Sequence, residues 1–263
     1  MGASMFEGIT DRIFTDYLSR GRWVEYRAFL SAAKDQGYEF ICHRDTVKWP
    51  SSHSDRLFFL RHDIDTDASI AGKMFSIERE LGVRSTYYFR RCTADVTLVH
   101  KIAESGSEVG YHFEEISDYA KKHGLKTRDA VMASMDPIRM QFLENFRRFE
   151  SAVGAKILTI AAHGDWINRK LGIPNQELLD LNIRNETGII LEAYDEVLNG
   201  RFDFRTSDSR PDFWGAGSPN NAISMNRKAV LVLVHPRQWQ RAPSARFYLD
   251  LQRFFEEIRF RFR

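Results

Sequence analysis

Short apolar runs alternate with amphipathic stretches along most of this chain. Leu57-Phe58-Phe59-Leu60, Ser85 to Phe89, Glu108 to His112, Ile157 to Ala162, Gly188 to Glu192, Phe202 to Thr206 and Ala229 to Val234 are short and apolar or rich in β-formers, so they read as strands. Runs without strict polar alternation fit strands covered on both faces, as in parallel sheets. Between them the period changes. Ile70, Met74, Ile77 and Leu81 share one helical face, with Asp67 expected as its cap and Gly82 as its stop. Residues 95–105 form a short helix ending at Gly106, and Ile138, Phe142, Phe146, Phe149 and Val153 mark a long one after Pro137, closed by Gly154. Upstream, residues 10–36 read as two helices, the first carrying Phe14, Tyr17 and Leu18, the second Trp23, Tyr26, Phe29 and Leu30, with Gly37 as terminator. Residues 43–56, with Pro50 and several serines, read as a surface loop, and residues 215–222 as another. Phe247, Leu251, Phe254, Ile258 and Phe262 predict a C-terminal helix with one apolar stripe.

Strands alternating with helices argue for an α/β fold with a parallel sheet. The number of strands predicts a closed, irregular (β/α)7-type barrel in a single domain. Residues 1–56 are then an N-terminal helical extension and loop of the same domain, and residues 57–263 the barrel with its C-terminal helix. No internal repeat or linker divides the chain.

Composition narrows the function. With 263 residues, 43% hydrophobic and 28% charged, the chain is long enough for one sizeable core. A net charge of +2 gives no field for nucleic acid, and no basic stripe appears outside the C-terminal tail. Cys42 and Cys92 lack CxxC spacing and read as reduced core thiols of an intracellular protein. Residues 1–5 resemble a leader appended for expression, with a second start at Met5, and the acidic, amphipathic stretch after Met5 does not read as a signal peptide. No run approaches the roughly 18 apolar residues of a membrane span. The expected location is therefore cytoplasmic, and the Asn185-Glu186-Thr187 sequon is read as chance. Neither GxGxxG after the first strand nor GxxxxGK[ST] is present, which disfavours nucleotide-dependent chemistry.

What stands out is how the apolar runs end. The first strand runs into Arg61-His62-Asp63-Ile64-Asp65, and alternation puts Asp63 and Asp65 on the same side. The next polar ends are His112 with Glu114 and Glu115, His163-Gly164-Asp165, Asp208, and His235-Pro236. Strand C-termini of a barrel converge on one rim, where chemistry sits. Histidines and carboxylates gathered there predict a mononuclear metal site with an open position.

The order and wording of these segments resemble the NodB-homology polysaccharide deacetylases, carbohydrate esterase family 4, over roughly residues 55–240. Arg61-His62-Asp63-Ile64-Asp65 is similar to the family's first motif, which implies Asp63 as catalytic base and Asp65 as metal ligand. Ser85-Thr86-Tyr87-Tyr88-Phe89 resembles its "ATFF" strand. Glu108-Val109-Gly110-Tyr111-His112 resembles "EIGxH", whose His is a ligand. Asp208 to Trp214 resembles the fourth motif and Leu233-Val234-His235-Pro236 the fifth, whose His is the general acid. Two positions depart from the pattern. Ile116 stands where a second ligand His is usual, and His163-Gly164-Asp165 stands where an Arg and Pro are usual. Coupling the two makes His163 the replacement ligand beside Asp65 and His112, with Glu115 or Glu114 as competitor.

The resemblance implies hydrolysis of an N-acetyl group on an amino sugar, assisted by one divalent metal, Zn2+ being the expected ion. Asp63 takes a proton from water and His235 gives one to the leaving amine. Asp208, or alternatively Asp212, holds His235 charged. Trp214 and Trp166 are candidates to stack on the sugar, and Arg61 to keep Asp63 ionised or to meet the substrate. The substrate would be free, nucleotide-linked or lipid-linked, on the way to a bacterial surface polysaccharide of O-antigen or capsule type. The alternatives are a metal-free pseudoenzyme or sugar-binding protein on the same barrel, and a hydrolase of another carbon–nitrogen amide bond. The C-terminal helix interleaves Phe254, Phe255, Phe260 and Phe262 with Arg253, Arg259, Arg261 and Arg263. Membrane contact through it is one reading; the favoured one packs its aromatic face on the barrel and leaves the arginines in water.

Overall fold

A computed structural model describes residues 21–48, 56–208, 213–214, 217–240 and 243–262, apart from the side chains of 47–48 and 243–246. The expected first helix with Phe14, Tyr17 and Leu18, the start at Met5, Pro50 with its neighbouring serines, and Asp212 lie outside the described residues.

The sheet strands are β1 (Glu39–Phe40), β2 (Leu57–Ile64), β3 (Thr86–Phe89), β4 (Glu108–Phe113), β5 (Thr159–Ala162), β6 (Leu191–Glu192), β7 (Phe204–Ser207) and β8 (Ala229–Val234). Every pairing is parallel. The spatial order is β6-β5-β4-β3-β2-β8-β7, with short β1 beside the start of β2. From β2 to β6 each strand joins its predecessor; β7 then takes the far edge and β8 fills the gap next to β2. The sheet curls into a half-barrel, so that Leu191 of β6 shares an apolar cluster with Phe59 of β2 and Leu231 of β8.

The expected closure is not made: among the described residues no ladder joins β6 to β7. The cause is local. β6 has only two residues, and the Glu192 carboxylate accepts from Ala162 N at 2.9 Å and Tyr194 N at 2.7 Å, ending the ladder with a side chain. Phe202 then plugs the interior, its ring 4.8 Å from that of Phe59.

Helices cover the outside. The helix Met135–Val153 buries Ile138, Phe142, Phe146, Phe149 and Val153 against the sheet, as its periodicity predicts. Each such side chain contributes roughly 1.5–3 kcal/mol relative to exposure. The helix Trp23–Asp35 packs Tyr26, Phe29 and Leu30 against Phe58 and Val232 from the other flank. Gly110 has a packing reason: a Cβ there would stand 2.4 Å from the Tyr88 ring, which crosses the barrel interior.

Several local expectations fail for identifiable reasons. Asp67 adopts φ 60° and makes no side-chain cap, although Gly82 does end the helix Ala68–Leu81. The supposed loop from residue 43 is a 3-10 turn at His43–Lys48 that buries His43 and Thr46. His43 N donates to Thr86 Oγ1 (3.0 Å) and its ring Nδ1 pairs with the Tyr88 hydroxyl (2.8 Å), which draws this polar segment inside. Within 215–222, Ser218 and Asn221 form a capping box that starts the helix Pro219–Ser224. The C-terminal helix Pro243–Phe262 does not lay its aromatic stripe on the barrel: Phe247, Leu251, Phe254 and Phe262 are exposed, and Phe260, outside that stripe, is the buried aromatic.

Candidate metal and catalytic site

Strand β2 is buried along its whole length, including its polar end. Arg61, Asp63 and, just beyond the strand, Asp65 share one parity and face the barrel interior; His62 faces the opposite way. Arg61, itself 1% exposed, clamps Asp63 with two parallel bonds, Nε to Oδ1 and Nη2 to Oδ2, each 2.8 Å. Arg61 also lies over the Tyr194 ring, 4.4 Å from its centroid. Burial alone would raise the Asp63 carboxyl, but Arg61, His112 and His235 outweigh it and hold the group below the usual carboxylate range.

His112 ends β4. Its Nδ1 is 2.9 Å from the Ala161 carbonyl oxygen, which can only accept, so Nδ1 carries the hydrogen. Its Nε2 then turns a lone pair toward Asp65 Oδ1 at 3.1 Å, with Asp63 Oδ2 at 3.7 Å. Two acceptors this close require a positive charge between them, a proton or a metal ion. His163 supplies a third donor atom. Its Nε2 is 3.5 Å from Asp65 Oδ1, and one ligand atom each from Asp65, His112 and His163 lie within 4.8 Å of one another. A short helix positions His163: Asp165 caps Trp166–Leu171 by accepting from Ile167 N (3.0 Å), and Asn175 Nδ2 holds the His163 carbonyl (2.6 Å). Two imidazole nitrogens and one carboxylate oxygen are a donor set suited to Zn2+ and similar ions. The hydrogen bond from His112 Nδ1 to a carbonyl is the support such a ligand needs.

Across the rim, His235 follows β8 and Asp208 follows β7. Their side chains meet at 2.6 Å through Nδ1 and Oδ1, and Asp208 Oδ2 also accepts from His235 N (2.7 Å) and Trp239 Nε1 (2.8 Å). Burial would lower the imidazole, but Asp208, its hydrogen bond and the charges of Asp65 and Asp63 push His235 up to about 9. His235 in turn acts electrostatically on Asp63 and Asp65, which places it near both carboxylates.

The remaining sequence candidates divide between the rim, where Glu114 with His163 and Asp165 forms a second group of possible ligands, and the core. Glu115 points away from the rim: it accepts from Tyr111, Asn145 Nδ2 (2.9 Å) and Glu114 N (3.1 Å), and burial pushes it up to about 7. Glu114 is nearer, 3.3 Å from His163 Nδ1, but Arg90 engages both its oxygens at 2.8 and 2.7 Å. Ile116 is buried in the main core. Trp214 donates to Glu25 Oε1 (3.2 Å) and packs on Phe29 and Trp239, so its ring serves the core flank rather than the rim. Trp166 lines a cavity of about 850 Å3 that includes Asp65 and His163, with Phe260 set edge-on against it. The C-terminal helix forms the far wall, through Asp250, Phe255 and Glu256 among others. Lys121 crosses between the walls, 2.9 Å from Asp165 and 3.4 Å from Glu256. Sequence reasoning missed Tyr194, Arg90 and Trp239. Tyr194 and Arg90 were within reach, since each closely follows a predicted strand, at 188–192 and at 85–89; Trp239 carried no local signal.

No protein-family profile matches the chain, and no curated protein matches it. Solved structures do. A mutant CE4-family pseudoenzyme with restored enzymatic activity superposes with a TM-score of 0.43 and 15% identity, covering 76% of this chain and 65% of that one. Its wild type, from Bacillus anthracis, gives 0.42 and 16%, covering 76% and 63%. A family 4 carbohydrate esterase from Bacillus anthracis gives 0.38 and 12%, covering 86% of both chains. This chain thus spans less than two thirds of the pseudoenzyme it matches. The likeness is one of fold, at distant identity.

Proposed function

We propose that this protein is a metal-dependent hydrolase that removes N-acetyl groups from an amino sugar, a precursor of a bacterial surface polysaccharide. The observation that carries the reading is the convergence of one ligand atom each from Asp65, His112 and His163 within 4.8 Å of one another, His112 Nε2 being 3.1 Å from Asp65 Oδ1. Asp65, His112 and His163 would hold the ion. When bound there, a divalent ion supplies Lewis acidity toward an amide carbonyl and acidifies water.

The chain's own residues then divide the proton work. Asp63, kept ionised by Arg61, accepts the proton of the attacking water. Each Asp63 oxygen takes one bond from Arg61 and retains a second lone pair for this. His235, kept cationic by Asp208, donates its Nε2 proton to the departing amine nitrogen. Trp239 and the His235 backbone fix the other Asp208 oxygen, so the imidazole cannot swing away. Arg61 is too deeply buried to meet substrate and acts by positioning Asp63.

A second reading, a sugar-binding pseudoenzyme on the same scaffold, draws on the same clamp. A carboxylate held by two charge-assisted bonds is a weak base, and Arg61 depresses Asp63 further. One experiment separates the two. Purified protein is assayed for bound metal and for acetate release from N-acetylhexosamine substrates, with and without chelator. The hydrolase predicts near one metal per chain and chelator-sensitive release. Metal-free protein that binds sugar without releasing acetate supports the pseudoenzyme. His163→Ala is expected to lower metal occupancy, and unchanged occupancy would remove His163 from the ligand set.

A further inference from the structure

The C-terminal helix Pro243–Phe262 carries its apolar side chains on the wrong side for a core. Phe247 is 62% exposed, Tyr248 60%, Leu251 40%, Phe254 57%, Phe255 50% and Phe262 86%. At about 100° per residue these fall in one stripe, and it runs roughly 22 Å along the helix. The opposite side is what holds the helix to the barrel: Phe260 packs on Trp166, and Glu256 meets Lys121 and the Trp166 indole. The helix is therefore anchored with its apolar face turned outward.

We infer that this face docks on an anionic lipid surface, lying in the interface rather than crossing it. No described helix is long and apolar enough to cross a membrane. An amphipathic helix with bulky aromatics on one side and arginines along the edges suits the boundary between headgroups and acyl chains. Arg259 and Arg261 are exposed and border the stripe on its two sides. The helix's outer carboxylates are already taken, Asp250 by Arg237 (3.3 Å) and Glu257 by Arg253 (3.1 Å). Among the described residues neither Arg259 nor Arg261 has an ion-pair partner. A second copy of this face would bring the same pair of arginines and no free carboxylate, whereas phosphate headgroups supply the missing charge. Phe255 belongs both to the stripe and to the wall of the cavity holding Asp65 and His163, so the docked face leaves that cavity bordering the lipid. The inference goes beyond the hydrolase reading and does not depend on it.

The test is sedimentation of the full chain with vesicles, phosphatidylcholine alone against phosphatidylcholine with phosphatidylglycerol. Expected is binding to the anionic vesicles at least about tenfold stronger than to the neutral ones, weakening as salt rises. Leu251→Glu with Phe254→Glu should abolish it, with an unchanged circular dichroism spectrum. Arg259→Gln with Arg261→Gln touches no packed side chain and should reduce it severalfold. The proposal is overturned by absence of binding, by equal binding to both vesicles, by arginine variants that bind as well as the parent, or by light scattering that shows a dimer dispersed by Phe254→Glu.

Discussion

Two histidine–carboxylate pairs flank the same strand and differ in one respect. His62, on the outer side of β2, sits 2.9 Å from Glu78, and both side chains are 0% exposed. His235, on the rim, sits 2.6 Å from Asp208, and its side chain keeps 26% of its surface open. Glu78 also accepts from Tyr26, Ser85 and Tyr87. Every partner of that carboxylate is internal, so the cluster ties helix to sheet and nothing else can reach it. Asp208 is equally buried, but its histidine keeps part of its surface open and feels the charges of Asp65 and Asp63. The chemistry of the pair is common to both; access makes one a fastener and, on the hydrolase reading, leaves the other free to donate a proton.

The largest effect should come from His235→Gln. Removal of a positioned acid is expected to lower kcat for acetate release by about 10²–10⁴-fold with little change in KM. On the same hydrolase reading, the protein carrying Glu78→Gln should keep its kcat per folded molecule. It should instead lose about 3 kcal/mol of stability, read by urea denaturation, because a buried network loses its charge and leaves donors poorly matched. If Glu78→Gln abolished kcat without loss of stability, the contrast between the two pairs would collapse.

Next comes a shift in titration. NMR of the metal-free protein should find the His235 imidazole titrating near about 9, and Asp208→Asn should bring it back toward about 6.5. Since its folded pKa is raised, the pair's contribution to stability is complete below about 6.5 and is lost as pH rises through about 9. Glu115 and Glu192 have the same sign in a lower pH window. Burial pushes each up to about 7, so each favours folding while protonated, and stability should decline as pH climbs from about 4.5 to about 7. Glu115→Gln should flatten its part of that slope in denaturation curves taken across this range.

Smaller still is Trp239→Phe, which removes one donor from Asp208 and keeps most of the packing. About 1 kcal/mol of stability and a less than tenfold drop in kcat are expected. At the bottom of the scale, Glu186→Ala breaks the exposed pair with Arg147 and should change stability by under about 0.5 kcal/mol, below what denaturation resolves cleanly.

Much of this arrangement is readable from residue order alone. The apolar runs at 57–60, 157–162 and 229–234 predict buried parallel strands because continuous burial demands continuous hydrophobicity. The parity of Asp63 and Asp65 follows from the pleat, and the gathering of His112, His163 and His235 at one rim follows from parallel strands all pointing the same way. What order could not supply was any decision made by a partner distant in the chain. His43 is drawn inside by Tyr88, the barrel stays open because Glu192 caps the ladder of β5, and Glu115 is turned from the rim by Tyr111 and Asn145. The C-terminal helix shows the limit most plainly. Its periodicity dictates that Phe247, Leu251, Phe254, Ile258 and Phe262 share a stripe, since the backbone repeats every 3.6 residues or so. Which way the stripe faces was decided by Phe260 and Glu256 finding Trp166 and Lys121, contacts that exist only once the barrel has brought residues some 90 to 135 positions apart together.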